Sequence, residues 1–192
     1  AAPLQRAGAV PALFAALAIT DDATLSALES QWALLALANV LCATVGNTAA
    51  LVTPAVASVL STCLQEPPAA TASNGPVAAG TCYAALAVVS NLAMTRQGAE
   101  ALAAATVYRA VCPLLGHGAR WRGTLSLPSA RWLFTGQRTQ LRGASLGGGA
   151  ARVVLNGCLS SAVVAEHCES LGIGDRLRSL SPQGDSASVR CR

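Results

Sequence analysis

The chain has 192 residues, room for one domain of ordinary size. Hydrophobic residues make up 53% and charged residues 11%, a balance that excludes a disordered chain. A formal charge of +4 makes the whole only mildly basic, so no strong pull toward nucleic acid or membrane follows from net charge alone.

Alanine supplies most of the apolar share, with 41 residues against an aromatic share of 4%. Alanine heads the helix scale, so the expected class is all-α. All 13 basic residues are Arg and none is Lys, which beside the Ala and Gly content reads as the codon bias of a GC-rich genome rather than as function. The seven cysteines (Cys42, Cys63, Cys82, Cys112, Cys158, Cys168, Cys191) are odd in number, widely spaced and without a C-x-x-C pair. They read as small buried thiols in a reducing, cytoplasmic setting rather than as a disulfide framework or zinc module, and no metal or cofactor is expected.

In chain order, the first predicted helix carries Val10, Leu13, Phe14 and Leu17 on one face. Asp21, Asp22 and Glu29 follow, acidic residues suited to the start of the next helix. That second helix holds Leu34 to Leu41 with Asn39 near its end. The stretch Trp32 to Val52 is about as long as a bilayer span, yet contains Asn39, Thr44, Asn47 and Thr48, is rich in Ala and ends at Pro54. It reads as a buried helix, and no membrane span is expected. A short helix with Val56, Val59, Leu60, Cys63 and Leu64 comes next. A Pro/Ala/Ser-rich insertion over 66–76 separates it from a long helix ending in Val88 to Ala93 around Asn91. Another short helix carries Val107, Val111, Leu114 and Leu115, its last turn disturbed by Pro113. A second insertion, over 116–150, leads to Val153 to Leu159 around Asn156, then to a helix with Ile173, Leu177 and Leu180. The tail 181–192 is polar and expected to be loose.

These elements repeat. Asn39 to Val56 is 17 positions, Asn91 to Val107 is 16, and Asn156 to Ile173 is 17. The other interval, from the short helix to the next asparagine, is 29, then 35, then 49. One connection is therefore constant, and the other absorbs every insertion. A stacked array of repeats tolerates this pattern, because the variable loop lies outside the shared core.

The junction Arg6 to Leu13 resembles that between the first and second helices of an armadillo repeat. Leu34 to Leu41 resembles the third helix of that family with its asparagine, and Asn47 to Val52 the short first helix that follows. Arg96 to Leu102 and Glu166 to Ile173 return to the same theme. The resemblance covers most of 4–180 apart from the two insertions. It implies an armadillo-type α-solenoid, a right-handed superhelix with repeats at about 4–46, 47–94, 95–164 and a partial 165–180. Neither end carries a polar capping repeat, so a larger parent chain or a partner is expected.

The resemblance also implies a non-enzymatic scaffold whose third helices line a groove for a protein partner, an extended peptide or a helical subunit. Asn39, Asn91 and Asn156 occupy the positions of groove asparagines, each amide being both donor and acceptor. The residue reading alone leaves two roles open: contact with a partner's backbone, or a bond to a neighbouring carbonyl. One turn earlier stand Leu35, Ala87 and Arg152, where nuclear-import members carry tryptophan. A lysine-rich nuclear signal is thus a poor fit, and Arg152 would repel it.

The rival reading lies in the second insertion. Between Glu100 and Glu166 there are seven Arg and no acidic residue. Arg120, Arg122 and Arg131, interleaved with Trp121 and Trp132, form a set suited to clamp phosphates and stack bases of a nucleic acid or to meet another anionic surface. Catalytic patterns fail on context. Gly143 to Gly147 matches G-x-S-x-G but lacks an apolar strand before it and an acid-then-histidine order after it. Gly147 to Gly149 lacks the Lys-Ser/Thr of a phosphate-binding loop, and Cys158 with His167 and Cys168 lacks a fourth ligand.

Overall fold

The computed structural model describes residues 8–18, 27–42, 49–65, 67, 75–117, 126–128, 138–140 and 145–180. Within them the α-helices are α1 (Ala9–Ala18), α2 (Ala27–Cys42), α3 (Pro54–Cys63), α4 (Gly75–Leu92), α5 (Arg96–Ala104), α6 (Val107–Val111), α7 (Leu146–Ser160), α8 (Ala162–Ser170) and α9 (Ile173–Leu180). Short 3-10 turns occupy Ala49–Leu51 and Cys112–His117. The class is all-α, as the alanine content implies. One small exception lies inside the second insertion, where β1 (Ser126–Pro128) pairs antiparallel with β2 (Arg138–Gln140), Leu127 facing Thr139. The insertion has lost the alanine-rich 3.6-residue period, so its local preference turns extended. No helix among the described residues is long and apolar enough to cross a membrane.

Helix ends follow local chemistry. Thr53, Thr95 and Ser145 cap α3, α5 and α7, their hydroxyls accepting from the N–H groups of Val56, Gly98 and Gly148 at 3.2, 3.1 and 3.0 Å. Pro54 sits in the first turn of α3, where its missing N–H costs nothing. Pro113 has the predicted effect: α6 ends at Val111, and the chain tightens into the 3-10 turn. Ahead of α1, α6 and α9 the backbone turns left-handed at Gly8 (φ 72°), Thr106 (φ 59°) and Gly172 (φ 67°). Two of the three are glycine, and the β-branched Thr106 is held there against its own preference.

The insertion bounds shift inward at both helix starts. Gly75 and Pro76, expected in the first loop, open α4, and Leu146 to Ala150, expected in the second loop, open α7. Three consecutive glycines disfavour a helix, but Ser145 caps this one, and the glycines let α7 lie close to α4. A Cβ on Gly149 would stand 3.0 Å from Leu86 Cδ1.

The helices pack in three rows, each in chain order. The long helices run α2 against α4 and α4 against α7. A second row joins α1 to α3, α3 to α6, and the 3-10 turn Cys112–His117 to α9. A third joins Ala49–Leu51 to α5 and α5 to α8. One continuous core fills the space between rows. Leu34, Leu37, Leu60, Leu64, Leu86, Leu92, Leu102 and Leu114 are fully buried in it. Each contributes about 1.5–3 kcal/mol of burial. Ala79, Ala84, Ala85 and Ala99 fill the gaps and are completely covered, so helices approach where bulky residues are few.

One polar contact ties the third row together. Arg96 and Glu100 pair at 2.9 Å one turn apart on α5, and the Ser161 hydroxyl donates to the same Glu100 oxygen at 2.8 Å. These bonds, Arg96 first, hold the Glu100 carboxyl below its ordinary value of 4.5. A lowered carboxyl pKa contributes stability that is present above the unfolded value and is lost as pH falls through the folded one. Thermal melts between pH 7 and pH 3 should therefore show Glu100→Gln with a shallower acid loss than the parent chain.

Candidate functional site

Each long helix carries its asparagine in its last two turns, and the packing aligns them. Asn91 on α4 donates from Nδ2 to the carbonyl of Ala38 on α2 at 2.7 Å. Asn156 on α7 donates to the carbonyl of Ser90 on α4 at 3.1 Å and to the Ser90 hydroxyl at 3.0 Å. Ala38 directly precedes Asn39, and Ser90 directly precedes Asn91. The same rung therefore recurs in the same register, across 53 residues in one case and 66 in the other.

The rung has a physical cause. The last carbonyls of a helix lack an intrahelical partner. At the end of α4 the Val89 carbonyl accepts from Ala93 N–H at 2.9 Å and that of Asn91 from Met94 N–H at 3.3 Å. Asn156 supplies the Ser90 carbonyl, and the Ser160 hydroxyl supplies that of Ala93 at 2.9 Å. The end of α7 thus caps the end of α4. Of the two roles left open by the sequence, the bond to a neighbouring carbonyl is present at Asn91 and Asn156. It occupies part of each amide, which keeps an acceptor oxygen.

Around these rungs lies a depression of about 340 Å³ lined by residues from α2, α4 and α7 and the turn after α4. All five predicted groove residues meet there: Leu35, Asn39, Asn91, Arg152 and Asn156. Asn39 and Arg152 are exposed, and Leu35, Asn91 and Asn156 are half-buried. Ala38, Ala87, Ser90 and Met94 complete the lining, so Arg152 is its charged member. Ser90 and Met94 went unpredicted. Ser90 could have been found from its place next to Asn91, but nothing in the spacing marks Met94.

Arg120, Trp121, Arg122, Arg131 and Trp132 lie outside the described residues. The short pair β1–β2 from the same insertion packs beside α2 and α4.

The described thiols include two neighbouring pairs, Cys63 with Cys82 and Cys158 with Cys168. Cys63, Cys82, Cys112, Cys158 and Cys168 are free, and no metal-binding group of three His, Cys, Asp or Glu occurs among the described residues. Burial pushes Cys63 up to about 11 and, with Cys63 nearby, Cys82 up to about 12. Burial and the adjoining Cys158 push Cys168 up to about 12. A thiol held protonated is a poor nucleophile and a poor ligand. Titration with a disulfide reagent at pH 8 should leave Cys82 and Cys168 unreacted in the folded chain and release them on denaturation. Ser145, central to the G-x-S-x-G match, spends its hydroxyl on capping α7.

No family model, curated protein or solved structure matches the chain.

Proposed function

We propose that the chain is an armadillo-type α-solenoid that acts as a non-enzymatic binding scaffold, its long helices presenting a concave groove to an extended segment of a protein partner. The observation that carries this reading is the depression in which Leu35, Asn39, Asn91, Arg152 and Asn156 meet from the three long helices α2, α4 and α7. Recurrence of one rung in one register supports the layered arrangement, since unrelated helices have no reason to repeat it. An extended segment has unpaired backbone donors and acceptors along its length, and amides spaced one helix apart match that need. Arg152 adds a preference for a carboxylate-bearing partner and against a basic one.

The test is selection from a random-peptide display library on the folded chain. Enriched peptides should be acidic and extended. Binding of the synthesised winners, followed by fluorescence anisotropy, should weaken about 10-fold or more with Arg152→Glu, as expected for loss of a charge-assisted hydrogen bond. Peptides that bind the variant equally well, or no enrichment at all, would overturn the reading.

A further inference from the structure

One turn before Asn39, Asn91 and Asn156 stand Leu35, Ala87 and Arg152, and all three line the depression between α2, α4 and α7. The two rungs hold those helices in one register, so the three positions form a row that crosses the helix axes. The row changes chemistry from one side to the other. On α2 Leu35 is apolar and half-buried. On α4 Ala87 is small and half-buried, and Met94, 62% exposed, stands in the turn after the helix. On α7 Arg152 is exposed, and it forms no ion pair among the described residues.

Asparagine amides bond any peptide backbone and select no side chain, so selectivity falls to this row. An extended segment advances about 3.3 Å per residue, and packed helices lie about 8–10 Å apart. Leu35 and Arg152 are two helix spacings apart, about 16–20 Å, which an extended chain covers in about five or six residues. An apolar wall at one end and an unspent cation at the other therefore set both the kind and the separation of the side chains that fit. The middle of the row is less exacting. Ala87 leaves space there, and the unbranched side chain of Met94 adapts its shape to what fills it.

We propose, resting on the groove reading above, that the partner segment carries two anchors about five or six residues apart: one large apolar side chain that packs on Leu35, and one carboxylate that pairs with Arg152. A carboxylate alone leaves the Leu35 wall in water, and an apolar residue alone leaves Arg152 unpaired, so either anchor without the other binds weakly.

Peptides enriched from the display library on the unmodified chain test the spacing. They should share an acidic residue with a Leu, Ile, Phe or Met about five or six residues from it. In a synthesised winner, Ala in place of the apolar residue, or removal of two residues between the anchors, should each weaken binding about 10-fold by fluorescence anisotropy. Both changes are made in the peptide, so neither depends on a variant folding. On the protein side Leu35→Arg, verified as folded by circular dichroism, should lose a similar factor. A peptide with Glu in place of its apolar residue should bind Leu35→Arg better than it binds the parent chain. Acidic winners with no apolar position at that spacing, a shortened spacer without effect, or an apolar residue whose removal costs nothing would overturn the proposal and leave the Arg152 groove standing. No enrichment, or binding indifferent to Arg152→Glu, would remove the groove and the two-anchor pattern with it, so the two failures are told apart.

Discussion

Replacing Gly157 with alanine should lower the melting temperature of the folded chain by about 5–10 °C, the equivalent of about 2–3 kcal/mol for overfilling a closed core. Gly157 is buried in α7 where the ring of Tyr108 comes up from α6. An added Cβ would overlap the Tyr108 hydroxyl oxygen and stand 3.0 Å from both Tyr108 Cζ and Val164 Cγ1. Neither neighbour has room to retreat. Tyr108 is fully covered and meets His167 edge-on, ring centres 6.2 Å apart. Its hydroxyl is buried and makes no hydrogen bond among the described residues. Tyr108→Phe alone should therefore be neutral or mildly stabilising, since it removes a desolvated group without a partner. In the Gly157→Ala background it should recover part of the loss, because the worst overlap is with the atom removed. A double-mutant cycle read by thermal circular dichroism measures that coupling. Full stability in Gly157→Ala would show that α6 does not press on α7 as described.

The asparagines should separate into two classes. Asn91→Ala and Asn156→Ala each lose a bond to a carbonyl in the last turns of the long helix packed before, at a cost of about 1–2 kcal/mol. Asn39→Ala, at an exposed position with no long helix before its own among the described residues, should change stability by less than about 0.5 kcal/mol. Chemical denaturation of dilute samples resolves the difference. Equal losses at all three positions would mean that the asparagines do not form an interlayer ladder.

Much of this arrangement is legible before any coordinates. The near-constant interval from each asparagine to the next short helix predicts a recurring arrangement, and Asn39, Asn91 and Asn156 do lie on α2, α4 and α7, long helices that pack in that order. Leu35 and Arg152 follow from being one turn earlier. What escapes the residue pattern is whatever depends on the backbone. The acceptors are the carbonyls of Ala38 and Ser90. An alanine and a serine share no side-chain signature, so only the donor half of each rung can be read. The start of α7 escapes for a related reason. Gly147 to Gly149 look like loop because glycine lacks a helix preference, whereas the contact with Leu86 that rewards their smallness lies about 60 residues away. Gln31 is similar: a buried amide on α2 that bonds the Val77 carbonyl and the Thr81 hydroxyl on α4, with no local motif to announce it. Thr106 is hidden for the opposite reason, since its left-handed backbone runs against the residue's own bias.

The most direct test of the account is a nuclear Overhauser measurement on isotope-labelled protein, observing the side-chain amide protons of the three asparagines. Successive long helices stacked in one register require cross-peaks from the Asn91 amide to residues 38 and 39 and from the Asn156 amide to residues 90 and 91. Cross-peaks from those amides to other parts of the chain, with none to the helix before, would contradict the layered stack and the groove built on it.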